Sequence, residues 1–324
     1  MQTVTSHSPR KNQQSKVVTK SLHPRNLHRH GYDFPALVAS YSSLASYVKK
    51  NDYGKLSIDF SEPVAVKTLN SALLKHHYAI DNWDIPEGAL CPPIPGRVDY
   101  IHYIADLLKI ELPVTTGRST KPTISLLDIG TGANGIYPLL ASQVYGWQCV
   151  GSDINQTSLD NVAEIISKNK SLTDRFTLRL QTDKNHIFAG IIQDGDYFDV
   201  TVCNPPFHSS LEEAQKGSQR KLTNLARNRG EQHSQHSSKS TKLNFGGAGA
   251  ELWCNGGERL FIKKMINESK TFAKQCHWFT TLVSKSDNLK PSRKLLQKIG
   301  ATDIREIEMS QGNKITRILA WTFS

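Results

Sequence analysis

Long apolar runs are missing from this chain: nowhere do about 18 apolar residues follow one another, so no membrane-spanning helix is expected. Residues 1–14 are polar and contain no apolar stretch of the kind that starts a secretory leader, so the protein is expected to be soluble and cytoplasmic. Cysteine is sparse. The 5 present (Cys91, Cys149, Cys203, Cys254 and Cys276) are scattered without the paired spacing of a metal or redox site and read as reduced structural thiols. Acidic residues are in deficit, with 29 Asp and Glu against 40 Lys and Arg. The resulting formal charge of +11 and pI of about 9.3 suit a polyanionic partner.

Chemistry is concentrated at the ends of apolar runs. Phe198-Asp199-Val200-Thr201-Val202-Cys203 reads as a buried strand, and it stops abruptly at Asn204-Pro205-Pro206-Phe207. The C-terminal tip of such a strand is where open α/β sheets hold ligands. Asn204 brings a side-chain carbonyl, Pro205 a main-chain carbonyl, and Phe207 an aromatic face. Two acceptors beside a stacking surface suit an amino group on a flat ring, as in adenine, guanine or cytosine.

Upstream, the strand expected over 124–129 runs into Asp128-Ile129-Gly130-Thr131-Gly132-Ala133-Asn134-Gly135, with a helix expected from about Ile136. Glycines allow close backbone approach to a ligand, and a helix start offers free N–H groups. A second strand ends at Asp153, placed to accept hydrogen bonds from the two hydroxyls of a ribose. Gly130, Gly132 and Gly135 also fit the dinucleotide fingerprint and do not choose a cofactor alone. Two features favour S-adenosylmethionine over NAD. Asp128 precedes the first glycine, where it would meet the amino group of the cofactor's methionine part, and the runs 304–309 and 316–323 around Gln311-Gly312-Asn313-Lys314 read as an antiparallel hairpin. The expected fold is α/β, a Rossmann-like sheet of the class I S-adenosylmethionine-dependent methyltransferase type with a C-terminal antiparallel hairpin.

Three parts are expected along the chain. Residues 1–22 read as a disordered basic tail, 23–112 as a small N-terminal accessory, RNA-contact module, and 113–324 as the methyltransferase domain, opened by a polar linker over 113–122. Within the module, Leu37, Tyr41, Leu44 and Val48 have helical spacing, Leu56, Ile58 and Phe60 alternate like a strand, and Val66, Leu69 and Leu73 resume a helix; all read as core. His23, His28 and His30 cluster with Arg25 and Arg29 but lack a completing Cys or carboxylate, so a basic RNA-contact segment is preferred to a metal site. Residues 91–96 read as a stiff connector, with Arg97 at the start of a helix that packs on the sheet. From 209 to about 249 the chain turns to Lys, Arg, Gln, Ser and Gly, and reads as a mobile basic loop that closes over the substrate or as a plain flexible insertion.

His23-Pro24-Arg25-Asn26, residues 95–102, the turn at 128–140, Asn204 to His208, Leu252-Trp253-Cys254, Gly256-Gly257-Glu258 and Ala320-Trp321-Thr322-Phe323 together resemble the bacterial 23S rRNA adenine-N6 methyltransferase family. The likeness covers nearly the whole chain from about His23. It extends more loosely to the eukaryotic enzyme that methylates an adenine of a spliceosomal small nuclear RNA. The resemblance implies that Arg97, Gly130, Asn134 and Asp153 line the cofactor, joined by Asp128 and Gly132 from the reading above, and that Asn204, Pro205, Pro206 and Phe207 hold the adenine. Asn134 departs from the general pattern, where a third glycine is common. The substrate implied is 23S rRNA, free or in a large-subunit precursor, with no metal and a monomeric enzyme. A guanine-N2 rRNA methyltransferase, a protein-glutamine methyltransferase and a non-catalytic RNA-binding assembly factor stay open as rivals.

Overall fold

The computed structural model describes residues 21–112, 123–206, 254, 256–311 and 314–324. The expected tail, the 113–122 linker, the 209–249 loop and Phe207 therefore lie outside the described residues, apart from Ser21 and Leu22 of the tail.

The chain begins with α1 (Phe34–Ser40), a 3-10 turn (Ser42–Tyr47), the two-residue strands β1 (Lys49–Lys50) and β2 (Leu56–Ser57), α2 (Pro63–Tyr78) and α3 (Ile94–Leu107). The repeat that follows is β3 (Ser125–Ile129), α4 (Ile136–Tyr145), β4 (Gln148–Asp153), α5 (Gln156–Ser167), the short α6 (Lys170–Thr173), β5 (Phe176–Leu180) and β6 (Phe198–Cys203). Beyond it come α7 (Gly257–Ser269), β7 (Cys276–Val283), α8 (Leu289–Ile299), β8 (Asp303–Gln311) and β9 (Lys314–Thr322).

The 7 long strands form one sheet in the order β5-β4-β3-β6-β7-β9-β8. β3 to β7 run parallel, and β9 and β8 complete the edge antiparallel. The chain moves outward from β3 through β4 to β5 and then returns to β6 on the other side of β3. The order therefore reverses between β3 and β6, and a crevice opens at their C-terminal tips. Central parallel strands are covered on both faces, and β6 is accordingly buried at every position but Asp199.

Alternate residues of the strands feed two cores. On one side Leu126, Val200, Val202 and Ile318 join α3 (Val98, Ile101), α4 (Leu139, Leu140) and the N-terminal helices in one continuous cluster. On the other, Leu127, Ile129, Phe279 and Trp321 meet α7 (Ile262, Met265) and α8 (Leu296). Trp321 pins the antiparallel edge. It stacks on Phe279 at 5.8 Å, and its indole N–H donates to Ser269 Oγ at 2.9 Å. Truncating so well-satisfied a buried tryptophan costs about 3–5 kcal/mol.

The structure corrects several expectations. The helix read through Leu37, Tyr41, Leu44 and Val48 is broken at Tyr41 (φ −143°, ψ 87°), within a Ser40-Tyr41-Ser42-Ser43 run of poor helix formers. Leu56 and Phe60, read as core, are 43% and 45% exposed, because their strand is only two residues long and pairs with β1 alone; Ile58 is buried. The connector ends at Pro93, since Pro95 and Gly96 already belong to the first turn of α3, where proline loses no helical hydrogen bond. Part of the histidine segment packs inward, while Arg29 and His30 stay exposed. His23 and His28 are buried. His23 N–H donates to both oxygens of Asp99, at 3.0 and 3.2 Å, and Asn26 Nδ2 bonds the same carboxylate. Arg25 reaches Asp106 and donates to the His102 carbonyl at 2.9 Å. His28 Nε2 lies 2.8 Å from the Tyr78 hydroxyl. The segment is a clasp that ties the start of the described chain to α2 and α3.

Candidate active site

The last rung between β3 and β6 pairs Ile129 with Cys203. The next residues, Gly130 and Asn204, therefore leave neighbouring strand ends side by side. A cavity of about 670 Å³ opens over them, lined by Arg97, Gly130, Gly132, Asn134, Asp153, Asn204, Pro205 and Pro206 among others. Such a volume suits a small organic ligand. The structure thus gathers 8 of the 10 residues expected at the site. Asp128 lies beneath the turn, 1% exposed, and Phe207 is outside the described residues.

The glycine turn works by backbone geometry. Gly130, Gly132 and Gly135 have φ of +74°, +61° and +57°, a region that side chains disfavour. A Cβ at Gly130 would meet nothing within 4 Å, so the space beside it is open to a ligand, whereas one at Gly135 would stand 2.9 Å from Val162 Cγ1. Asn134 replaces the common third glycine without positive φ and does a different job. Its Oδ1 accepts from Ile136 N–H at 3.1 Å, satisfying a free amide at the start of α4, and its Nδ2 donates to the Leu90 carbonyl at 3.4 Å.

Two carboxylates flank the turn. Asp153 Oδ2 accepts from Gly132 N–H at 2.9 Å and Oδ1 from Asn155 N–H at 2.9 Å, which fixes its orientation at the end of β4. Both side-chain oxygens of Asp128 are buried with no hydrogen-bond partner among the described residues. Burial pushes the Asp128 carboxyl up to about 7; Asp153 adds to the rise, while the Thr131 hydroxyl and Arg97 pull against it. Arg97 Nη1 donates to the Tyr137 hydroxyl at 2.6 Å. An open glycine turn, a buried carboxylate of raised pKa, a fixed carboxylate and a guanidinium fit the polar groups of S-adenosylmethionine: its ammonium, its ribose hydroxyls and its carboxylate.

On the acceptor side, Asn204 Oδ1 is also buried without a partner among the described residues. An acceptor left in that condition costs about 1–3 kcal/mol, a cost relieved when a donor arrives.

Pattern reading missed much of the surround. Leu90 enters from the irregular stretch between α2 and α3, where Trp83 Nε1–H also donates to the Asn134 carbonyl at 3.0 Å. Lys184 and Asn185 belong to the polar run Thr182-Asp183-Lys184-Asn185 after β5, which the sequence does offer as the place where a class I enzyme meets the adenine of its cofactor, and His186 follows it. Phe261 and Lys264 project from α7, and Cys254 precedes it. Glu268 on α7 accepts from the Ile187, Phe188 and Ala189 N–H groups of the loop after β5 at 2.7–3.1 Å. Among the described residues no group of three or more His, Cys, Asp or Glu is placed to hold a metal ion.

A sheet of this order, with its glycine turn and carboxylates at the reversal point, defines a class I S-adenosylmethionine-dependent methyltransferase. The chain belongs to the RNA methyltransferase family Methyltransf_10, whose model matches residues 16–324. It is 58% identical over 316 residues to the ribosomal RNA large subunit methyltransferase F of Saccharophagus degradans, covering 96% of this chain and 98% of that protein. It is 55% identical over 314 residues to the protein of the same name from Shewanella halifaxensis, covering 94% and 83%. Among solved structures, the human Mettl16 catalytic domain in complex with a MAT2A 3′UTR hairpin superposes with a TM-score of 0.76 at 27% identity, covering 94% of this chain and 96% of that one.

Proposed function

We propose that this enzyme methylates the exocyclic N6 of one adenine in 23S rRNA, free or in a large-subunit precursor, acting as a cytoplasmic monomer without a metal. The observation that carries the reading is the buried Asn204 Oδ1, unpartnered among the described residues and set one residue past the Ile129–Cys203 rung and so beside the cofactor turn.

Bound S-adenosylmethionine supplies an electrophilic methyl group on a positively charged sulfur. Arg97 on α3, Asp128 in β3 and Asp153 at the end of β4 would hold its polar groups. Adenine N6 is a poor nucleophile because its lone pair is delocalised into the ring. Asn204 Oδ1 and the Pro205 carbonyl accept its two hydrogens, which favours a pyramidal nitrogen and orients the lone pair toward the cofactor side of the cavity. Positioning of this kind accounts for a large share of the rate; the new N–C bond would form as the S–C bond breaks, S-adenosylhomocysteine would leave neutral, and the methylated nitrogen, cationic at first, would pass one of its two hydrogens as a proton to water. Phe207, outside the described residues, keeps the role that the sequence gives it, an aromatic face for the extruded base. Arg97, Lys184 and Lys264 at the cavity, with the +11 net charge, favour an RNA strand.

The test is methyl transfer from labelled S-adenosylmethionine to 23S rRNA lacking its own modifications, followed by nucleoside digestion. N6-methyladenosine at one site is the expected product. N2-methylguanosine would overturn the base assignment, and label on protein would overturn the RNA. No transfer to either naked RNA or large-subunit precursors would overturn catalysis.

A further inference from the structure

We infer that the hydroxyl of Tyr100, on α3, is a positioning residue for the acceptor tetrapeptide: it replaces the missing end of the β6–β7 ladder and holds the peptide that carries Asn204. The inference rests on the acceptor role given to Asn204 above.

β6 stays paired with β3 up to Cys203, yet its pairing with β7 ends at Thr201–Phe279, two residues short of the strand's end. β7 itself continues to Val283, paired on its other side with β9. The two strands therefore part just where β6 delivers Asn204. A buried seam with unpaired peptide groups is costly, so something must fill it.

Side-chain hydroxyls fill it. Thr280 N–H donates to Thr201 Oγ1 at 3.3 Å, and Thr280 Oγ1 donates to the Thr201 carbonyl at 2.6 Å. The Tyr100 hydroxyl lies 2.8 Å from Thr280 Oγ1 and accepts from Cys203 N–H at 3.4 Å. Because the Thr280 proton is committed to a carbonyl, which can only accept, the Tyr100 proton must go to Thr280 Oγ1. The chain then has one direction: Cys203 N–H to Tyr100, Tyr100 to Thr280, Thr280 to the Thr201 carbonyl. Each hydroxyl both donates and accepts, an arrangement in which neighbouring bonds strengthen one another.

Tyr100 is fully buried, and its ring meets Tyr137 edge-on at 5.3 Å. Arg97, one turn earlier on α3, bonds the hydroxyl of that same Tyr137. One helical turn thus braces both halves of the site, Arg97 at the cofactor turn and Tyr100 at the acceptor tip. Losing the Tyr100 oxygen should leave the cofactor half in place and release the Cys203–Asn204 peptide, and a misplacement on the order of 1 Å in an oriented reaction costs on the order of 100-fold in rate.

The test compares Tyr100→Phe, Thr280→Val and Thr280→Ser with the unchanged enzyme. Tyr100→Phe and Thr280→Val are expected to lower kcat about 10- to 100-fold with S-adenosylmethionine affinity held within about twofold, while Thr280→Ser, which keeps the hydroxyl, stays near the original rate. Hydrogen exchange supplies a readout that needs no catalysis: the Cys203 amide should exchange at least about tenfold faster in Tyr100→Phe and Thr280→Val. Unchanged exchange at Cys203, an unchanged kcat, or a loss of cofactor affinity as large as the loss of kcat would each overturn the assignment. If the unchanged enzyme transfers no methyl group, the reading of the function fails, and the exchange result still decides the role of Tyr100.

Discussion

Ile129 and Cys203 face each other in the last parallel rung of the sheet, and that pairing puts the cofactor turn and the acceptor tetrapeptide next to each other. Each motif alone is only a strand ending in a turn. Placed one residue past a shared rung, Gly130 and Asn204 open into one cavity. The division of labour between them is testable because each substitution should affect its own half.

Asn204→Ala removes the buried acceptor without touching the glycine turn. Turnover is expected to fall by about 100- to 1,000-fold, the range seen when a positioned transition-state contact is deleted, while S-adenosylmethionine affinity by calorimetry stays unchanged. Near-normal single-turnover rates would remove Asn204 from the acceptor site.

The glycines of the turn should fail in different ways. Gly135→Ala places a methyl group 2.9 Å from Val162 Cγ1 at a backbone with φ +57°, so melting temperature should drop, by about 1–3 kcal/mol of stability. Gly130→Ala meets no atom within 4 Å, so beyond the strain of its φ of +74° the main loss should be cofactor affinity, the methyl group filling space the ligand needs. Equal effects of the two on calorimetric affinity and on melting would refute the distinction.

Asp128 should make cofactor binding depend on pH. Its carboxyl is raised to about 7 by burial, so the free protein holds that proton more tightly than the unfolded chain does. This group's contribution to stability is therefore present below the ordinary carboxylate range and lost as pH rises through about 7. A ligand ammonium requires the ionised form. Affinity for S-adenosylmethionine should climb with pH up to about 7 and then level, by at most about tenfold per pH unit, with proton release on binding. In Asp128→Asn the slope should vanish; a slope that survives in calorimetry would assign the proton elsewhere.

Much of this was legible in the sequence, for a physical reason: a buried strand must be apolar, and where it meets a ligand it must stop. Gly130, Asp153 and Asn204 each stand where an apolar run ends, and the terminal hairpin shows itself by two alternating runs about a Gly-Asn pair. Tyr100 was hidden because its ring, four residues before the equally buried Ile104, reads as ordinary helix core, and only the fold reveals what its hydroxyl touches. Trp83 and Leu90 come from a stretch without periodicity. The inward turn of His23, Arg25 and His28 depends on Asp99, Asp106 and Tyr78, 50 to 81 residues away, and local composition carries no trace of partners at that distance.

That clasp leads to a last expectation, about acid sensitivity. Burial lowers His28 to about 4, with His77 adding to the fall, and lowers His102 to about 3, with His23 and Arg25 assisting and Asp106 opposing. Both rings are held neutral, His28 against the Tyr78 hydroxyl at 2.8 Å and His102 against the Tyr145 hydroxyl at 2.7 Å. The unfolded chain takes up protons at these positions near the ordinary histidine value, whereas the folded chain does not. Their contribution to stability is thus present above about 6.5 and is lost progressively as pH falls toward about 4. Melting temperature should decline across that window, and His28→Gln should flatten the decline even if it lowers stability at neutral pH. Since α3 carries Asp99 and His102 as well as Arg97 and Tyr100, loosening the clasp by acid should reduce methyl transfer before the sheet unfolds. Activity at saturating S-adenosylmethionine, which removes the Asp128 effect on affinity, and near-ultraviolet circular dichroism followed together through the same pH range would test this, and strictly parallel loss of both would show that the clasp and the sheet melt as one unit.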